Sequence, residues 1–167
     1  MLDSLISVRP VAPAASYIGG KRNLAARVTK LIEQIPHDGY GEPFVGMGGI
    51  FLRRRARPRV EVINDASGDV ATFFRVLQEH YAYLLDMLRF RVASRAEFER
   101  LRAIPAERLT DLQRAARFLY LQRLAFGGRV DGRHFGVDRT QGARFNVTKL
   151  EPMLAEIHDR LAGVVIE

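Results

Sequence analysis

The chain has 167 residues, 47% hydrophobic and 27% charged, which is enough apolar material for one substantial core and too much for a disordered tail. Its formal net charge of +7 favours a polyanionic partner, nucleic acid first, while the absence of cysteine excludes disulfides, thiolate metal sites and cysteine nucleophiles. No apolar run reaches the length of a membrane span, and residues 1–15 lack the basic start and apolar block of a signal peptide, so a cytoplasmic protein without a membrane partner is expected.

In chain order, Pro10 and Pro13 mark the opening segment as an irregular arm outside the core. Tyr17-Ile18-Gly19-Gly20-Lys21 then sets a glycine pair between an aromatic and a cation, ahead of a helical pattern at Leu24, Val28, Leu31, Ile32 and Ile35. A strand over 41–45 runs into Glu42-Pro43-Phe44-Val45-Gly46-Met47-Gly48-Gly49, a glycine loop whose Gly46 and Gly48 permit positive φ and close approach of backbone to a bound molecule. Ile50, Phe51 and Leu52 supply the apolar face of a helix behind it. Such a loop holds a ligand or makes a tight turn without one.

Arg53, Arg54, Arg55, Arg57 and Arg59 form the densest positive run, either a solvated end complementing the dipole of that short helix or a patch that tracks phosphates. A second strand signal, 60–64, ends at Asp65, about twenty residues beyond the glycine loop, where a carboxylate binds ribose hydroxyls or caps a helix starting near Ser67. A third strand signal, 164–167, follows about a hundred residues later, far more than one crossover needs. An α/β fold with a large insertion is therefore expected.

The insertion reads as mostly helical. Asp69 to Phe90 carries apolar residues at three- and four-residue steps and reads as one long helix. Ser94-Arg95-Ala96-Glu97 and Thr110-Asp111-Leu112-Gln113 have the form of capping boxes. In Phe126-Gly127-Gly128-Arg129-Val130-Asp131-Gly132-Arg133-His134-Phe135-Gly136, glycines alternate with basic and aromatic residues: a nucleic-acid-reading segment, or a loop with solvated arginines. His37, His80, His134 and His158 are scattered without metal-ligand spacing, so no metal site is expected and none is given a catalytic role.

An aromatic-x-Gly-Gly-Lys segment, then Glu-Pro-Phe-x-Gly-x-Gly, then a strand ending in Asp, in this order and spacing, resembles the Dam-type (D12 class) DNA adenine-specific methyltransferases. The likeness continues through Phe118-Leu119-Tyr120-Leu121-Gln122-Arg123 and Arg144-Phe145-Asn146-Val147. It implies a partial Rossmann-like S-adenosylmethionine-dependent methyltransferase sheet with a mostly helical DNA-recognition insertion. The organisation implied is 1–66 for donor binding, 67–148 for the insertion and 149–167 for the return to the methyltransferase domain. It places Tyr17, Lys21, Phe44, Gly46, Gly48 and Asp65 at S-adenosylmethionine, and Arg123, Phe126, Arg129, Arg133 and Asn146 at double-stranded DNA. Where the family often has aromatic-Asn-Gly, this chain has Phe126-Gly127-Gly128, which removes an amide side chain from the reading segment.

The family's Asp-Pro-Pro-Tyr-type catalytic motif has no counterpart, since the sequence contains no Pro-Pro pair. No catalytic residue is therefore assigned, and the expectation is a truncated product, ending before a fourth strand, that leaves its glycine-loop strand as a sheet edge and needs a second chain for methyl transfer. Two other classes compete. A dinucleotide-binding protein is disfavoured because Phe51 stands where the third spaced glycine belongs. A purely DNA-binding module explains the charge but leaves the Tyr17–Lys21 and Glu42–Gly49 segments without purpose, and a non-catalytic DNA-binding or S-adenosylmethionine-binding fragment would need a second chain.

Overall fold

The computed structural model describes residues 5–136 and 144–167. Part of the insertion assigned to 67–148 therefore lies outside the described residues.

Three short strands make a parallel sheet. β-branched Val60 to Ile63 form its middle strand β4 (Val60–Ile63), which pairs with β2 (Gly39–Glu42) on one side and β5 (Val165–Ile166) on the other. β2 thus stands at the end of the strand order, and its outer edge has no partner among the described residues. The expected first strand over 41–45 is shifted back because Pro43 cannot donate to a ladder, although Val45 N still donates to Asn64 O at 2.9 Å.

A second, two-stranded antiparallel sheet joins β1 (Ile6–Ser7) to β3 (Ala56–Arg57). This corrects the expectation of an irregular arm outside the core. Val8 and Val11 donate their amides to Arg55 O and Leu52 O at 2.8 and 2.7 Å, and Val11, Ala14 and Ala15 are buried. Small side chains permit that close packing, and the two prolines fall where no amide is needed.

Helix α1 (Arg22–Glu33) follows the glycine pair. The helix expected after the glycine loop shrinks to one 3-10 turn, Phe51–Arg53, because Arg54 adopts an extended backbone (φ −65°, ψ 144°) and drops its side chain into the interior. The long helix expected from Asp69 to Phe90 is two, α2 (Gly68–Glu79) and α3 (Tyr81–Arg89), separated at His80 (φ −130°, ψ 34°). The break re-aims α3, so that Tyr81 stacks on His158 with ring centroids 4.9 Å apart while Leu84, Leu85 and Leu88 remain buried.

α4 (Arg95–Ala103) and α5 (Asp111–Leu124) start at the expected caps. Thr110 and Gln113 complete a reciprocal capping box. At α4 only half of it forms: Ser94 Oγ accepts from Glu97 N at 3.1 Å, but Glu97 turns its carboxylate to Arg91 and Arg100, where charge-assisted bonds compete. α5 is the central helix, buried over most of its length and packed on α2, α3 and α4, with Phe118 against Phe73 at 5.9 Å. α6 (Val147–Arg160) packs on α2 and α3 and leads into β5, bringing the chain back to the sheet.

Candidate functional site

A cleft of about 570 Å³ opens beside the C-terminal end of β2, within the rough 300–1,000 Å³ of small-molecule sites. Its walls come from three places. The strap from Ala12 to Lys21 makes one side, the glycine loop from Phe44 to Gly49 the second, and Asp65, at the end of β4, closes the third.

Gly46 and Gly48 both have positive φ, 52° and 77°. At Gly46 an added Cβ would press on the Tyr17 ring at 3.2 Å, so this glycine lets the aromatic lie against the loop. Gly48 serves a different end. It does not line the cleft, and a Cβ there would meet Leu52 at 2.8 Å. Of the residues expected at a donor, Tyr17, Lys21, Phe44, Gly46 and Asp65 share the cleft, and Gly48 shapes it from behind.

Phe44 is 69% exposed, so it is not a core residue but an apolar face offered to the cleft. Asp65 does two structural jobs at once: one carboxylate oxygen accepts from Gly46 N at 2.8 Å and the other from Ser67 N at 2.9 Å. The ribose-binding and helix-start readings of this residue are therefore compatible, since each oxygen keeps a free lone pair. Lys21 Nζ donates to Phe44 O at 3.0 Å and stands 3.8 Å from Glu42 Oε1. Its remaining protons are available to an anion in the cleft.

Glu42, which sequence reasoning left without a role, anchors this arrangement. It is buried, accepts from Tyr40 Oη at 2.9 Å and from Phe51 N at 3.0 Å, and burial holds its carboxyl above the usual carboxylate range. The signal for it in the sequence is an acid just before Pro43, where the strand runs into the glycine loop.

The insertion is stitched to the wall of the cleft. Buried Gln122 of α5 donates its amide to Ser16 O and Gly128 O, both at 2.7 Å, and Ile18 N donates to Gly128 O at 2.9 Å. An added Cβ on Gly128 would come within 2.9 Å of the Ser16 carbonyl carbon, so only glycine fits there. Phe126, 65% exposed, and exposed Arg129 flank this seam and face outward.

Of the other residues expected at DNA, Arg123 and Arg133 are engaged internally and exposed Asn146 makes a local cap. Arg123 donates to Ala14 O at 2.9 Å and to Arg144 O at 2.8 Å, tying α5 to the strap. Arg133 is buried and donates to Gln122 Oε1 and Arg129 O, both at 3.3 Å. Asn146 caps α6 by accepting from Thr148 N at 3.0 Å.

The run from Arg53 to Arg59 is not one surface. Arg53 lines the cleft and donates to Gly49 O at 2.9 Å, whereas Arg54 is buried and paired with Glu61 at 2.7 Å. Among the described residues no group of three or more His, Asp or Glu side chains is arranged to hold a metal ion, and no helix is long and apolar enough to cross a membrane.

Comparison with known proteins gives this geometry its context. The chain is similar to the Type II methyltransferase M1.LlaDCHI of Lactococcus lactis subsp. cremoris, 27% identical over 122 residues that cover 70% of this chain and 42% of that protein. It thus spans about two fifths of the length of that curated relative. The model of the D12 class N6 adenine-specific DNA methyltransferases matches residues 17–135, which include every cleft residue from Tyr17 onward, Ile18, Gln122 and Gly128 of the seam, and the outward-facing Phe126 and Arg129. The chain belongs to the D12 class N6 adenine-specific DNA methyltransferase family.

Proposed function

We propose that the cleft binds S-adenosylmethionine and that the chain presents it to adenine in double-stranded DNA. The observation that carries this reading is the seam at Gly128, which holds the segment bearing exposed Phe126 and Arg129 against the wall of the cleft. A site for site-specific methyl transfer needs both ligands on one rigid frame.

The donor supplies an electrophilic methyl group on a sulfonium when bound. Lys21 would take its carboxylate, Phe44 and Tyr17 would enclose its apolar parts, and Asp65 would accept from the ribose hydroxyls. The cleft fits such a molecule because it sets one carboxylate and one lysine among aromatic and glycine surfaces. On the DNA side, Phe126 and Arg129 are the groups free to act, Phe126 by stacking or wedging and Arg129 at phosphate or a guanine edge. Arg133 would hold that segment in place through Gln122 and Arg129, and Arg123 would tie α5 to the strap.

Parallel strands with helices about them and a ligand site at the C-terminal end of β2 support a Rossmann-like methyltransferase sheet as the framework. Residues 1–167 contain no Asp-Pro-Pro-Tyr-type segment, so methyl transfer would draw that motif from a segment outside them. Calorimetry with S-adenosylmethionine and with a nicotinamide dinucleotide tests the donor reading. Binding of the first alone, weakened roughly 10- to 100-fold in Lys21→Ala as expected for loss of a charge-assisted contact, is the predicted result; selective binding of the dinucleotide would overturn it.

A further inference from the structure

Beyond the residues already given roles, the mouth of the cleft carries a second concentration of positive charge. Arg22, the first residue of α1, and Arg53, the last of the 3-10 turn, both line it. The Arg53 guanidinium bonds Gly49 O, and the position of an added Cβ on Gly49 lies 3.4 Å from Lys21 N and 4.0 Å from Arg53 Nη1, so this head group sits at the start of α1. No side chain caps that start and no acid occupies its first turn, leaving the positive end of the helix dipole uncompensated. Neither arginine forms a salt bridge among the described residues, in contrast to Arg54, Arg91, Arg114 and Arg160. Burial first, and the Arg22 charge second, lower the Arg53 pKa, in keeping with two cations that line one cleft.

Two guanidiniums on the wall of one cleft, neither paired with an acid among the described residues, can share an anion. The donor's single carboxylate already has Lys21. If the cleft is the donor site, which this inference takes from the reading above, the target base has to enter through the same mouth, and its own phosphodiester then comes to rest on the rim. We propose that Arg22 and Arg53 form a phosphate clamp that binds the DNA backbone beside the nucleotide presented to the cleft. The pair would fix register without reading sequence.

The test is fluorescence anisotropy of an adenine-containing duplex over a potassium chloride series, with calorimetry of S-adenosylmethionine in parallel. The variants are Arg22→Gln/Arg53→Gln, the charge-preserving Arg22→Lys/Arg53→Lys, and Arg75→Gln/Arg108→Gln, which removes the same charge from exposed sites elsewhere. The clamp predicts that the first variant binds DNA about 10-fold more weakly and that its slope of log K against log salt becomes shallower by about 1 to 2. The lysine variant and the remote pair keep the wild-type slope, and donor affinity stays within about twofold throughout.

An unchanged slope in Arg22→Gln/Arg53→Gln, a remote pair that matches it, or no salt-dependent DNA binding by the wild type would each overturn the clamp. Loss of donor affinity with intact DNA binding would also overturn it, assigning the pair to the donor. A wild type that binds DNA through the pair but takes no donor would instead sink the donor reading and leave the clamp standing.

Discussion

Arg53 and Arg54 are neighbours in the chain, and the regions they serve could hardly differ more. Arg53 lines the cleft with a single bond to a carbonyl, and Arg22 lines the same cleft. One residue on, Arg54 is buried against Glu61, which also receives two 2.7 Å bonds from Arg160 of α6. In that interior cluster two guanidiniums share one carboxylate, Arg54 lies 3.8 Å over the Tyr40 ring, and Arg160 lies 4.1 Å over Phe51. Ring faces and His37, whose Nε2 is 3.1 Å from Arg54 Nη2, offset part of the surplus charge. Charge inside this fold ties α6, and with it β5, to the glycine-loop side of the sheet, whereas Arg53 and Arg22 at the cleft have no acid partner among the described residues.

If that division holds, the largest effect on stability comes from the interior. Glu61→Gln leaves two buried guanidiniums without a counter-charge and should cost about 3–5 kcal/mol. Urea unfolding would show it, and a loss under about 1 kcal/mol would mean that water or rearrangement satisfies the arginines. Next comes Gly48→Ala, which combines positive φ with a 2.8 Å approach to Leu52; a loss of about 1–3 kcal/mol is expected, with a cleft distorted from behind. Gly46→Ala should spare stability more and donor binding less, because the clash falls on the Tyr17 ring inside the cleft. Equal effects of the two on stability and on donor affinity would erase the distinction between shaping and lining glycines.

A smaller effect sharpens the comparison at the boundary of the two regions. Burial raises the Glu42 carboxyl above its ordinary value, so folding favours its protonated form. Its contribution is full below the unfolded pKa and falls as pH rises through the folded one. Glu42→Gln, which keeps an acceptor for Tyr40 and Phe51, should therefore flatten stability between the ordinary carboxylate range and neutrality. Thermal melts of both proteins across that window check the sign, and a steeper decline in the variant would contradict it.

Much of the cleft was legible from residues because its parts are local: an aromatic and a lysine around a glycine pair, a strand running into Gly46, and an acid ending the next strand. Backbone rules tie those residue types to those positions. What escaped were the long-range partnerships. Nothing in the spacing of Gln122, Arg123 and Arg133 tells an arginine that bonds carbonyls from one that meets phosphate, because that depends on which segments pack across 106 or 109 residues. Arg54 hid inside a basic run for the same reason, its partner Arg160 lying near the far end of the chain. The break at His80 had no proline or glycine to announce it and follows from the packing of Tyr81 on α6.

The central claim is that the cleft beside Gly46 is the donor site, and amide chemical-shift mapping on titration with S-adenosylmethionine tests it most directly. A donor held in that cleft would give the largest shifts at Tyr17, Lys21, Gly46 and Gly49, with little change along α4. Shifts centred elsewhere, or none at saturating donor, would contradict it.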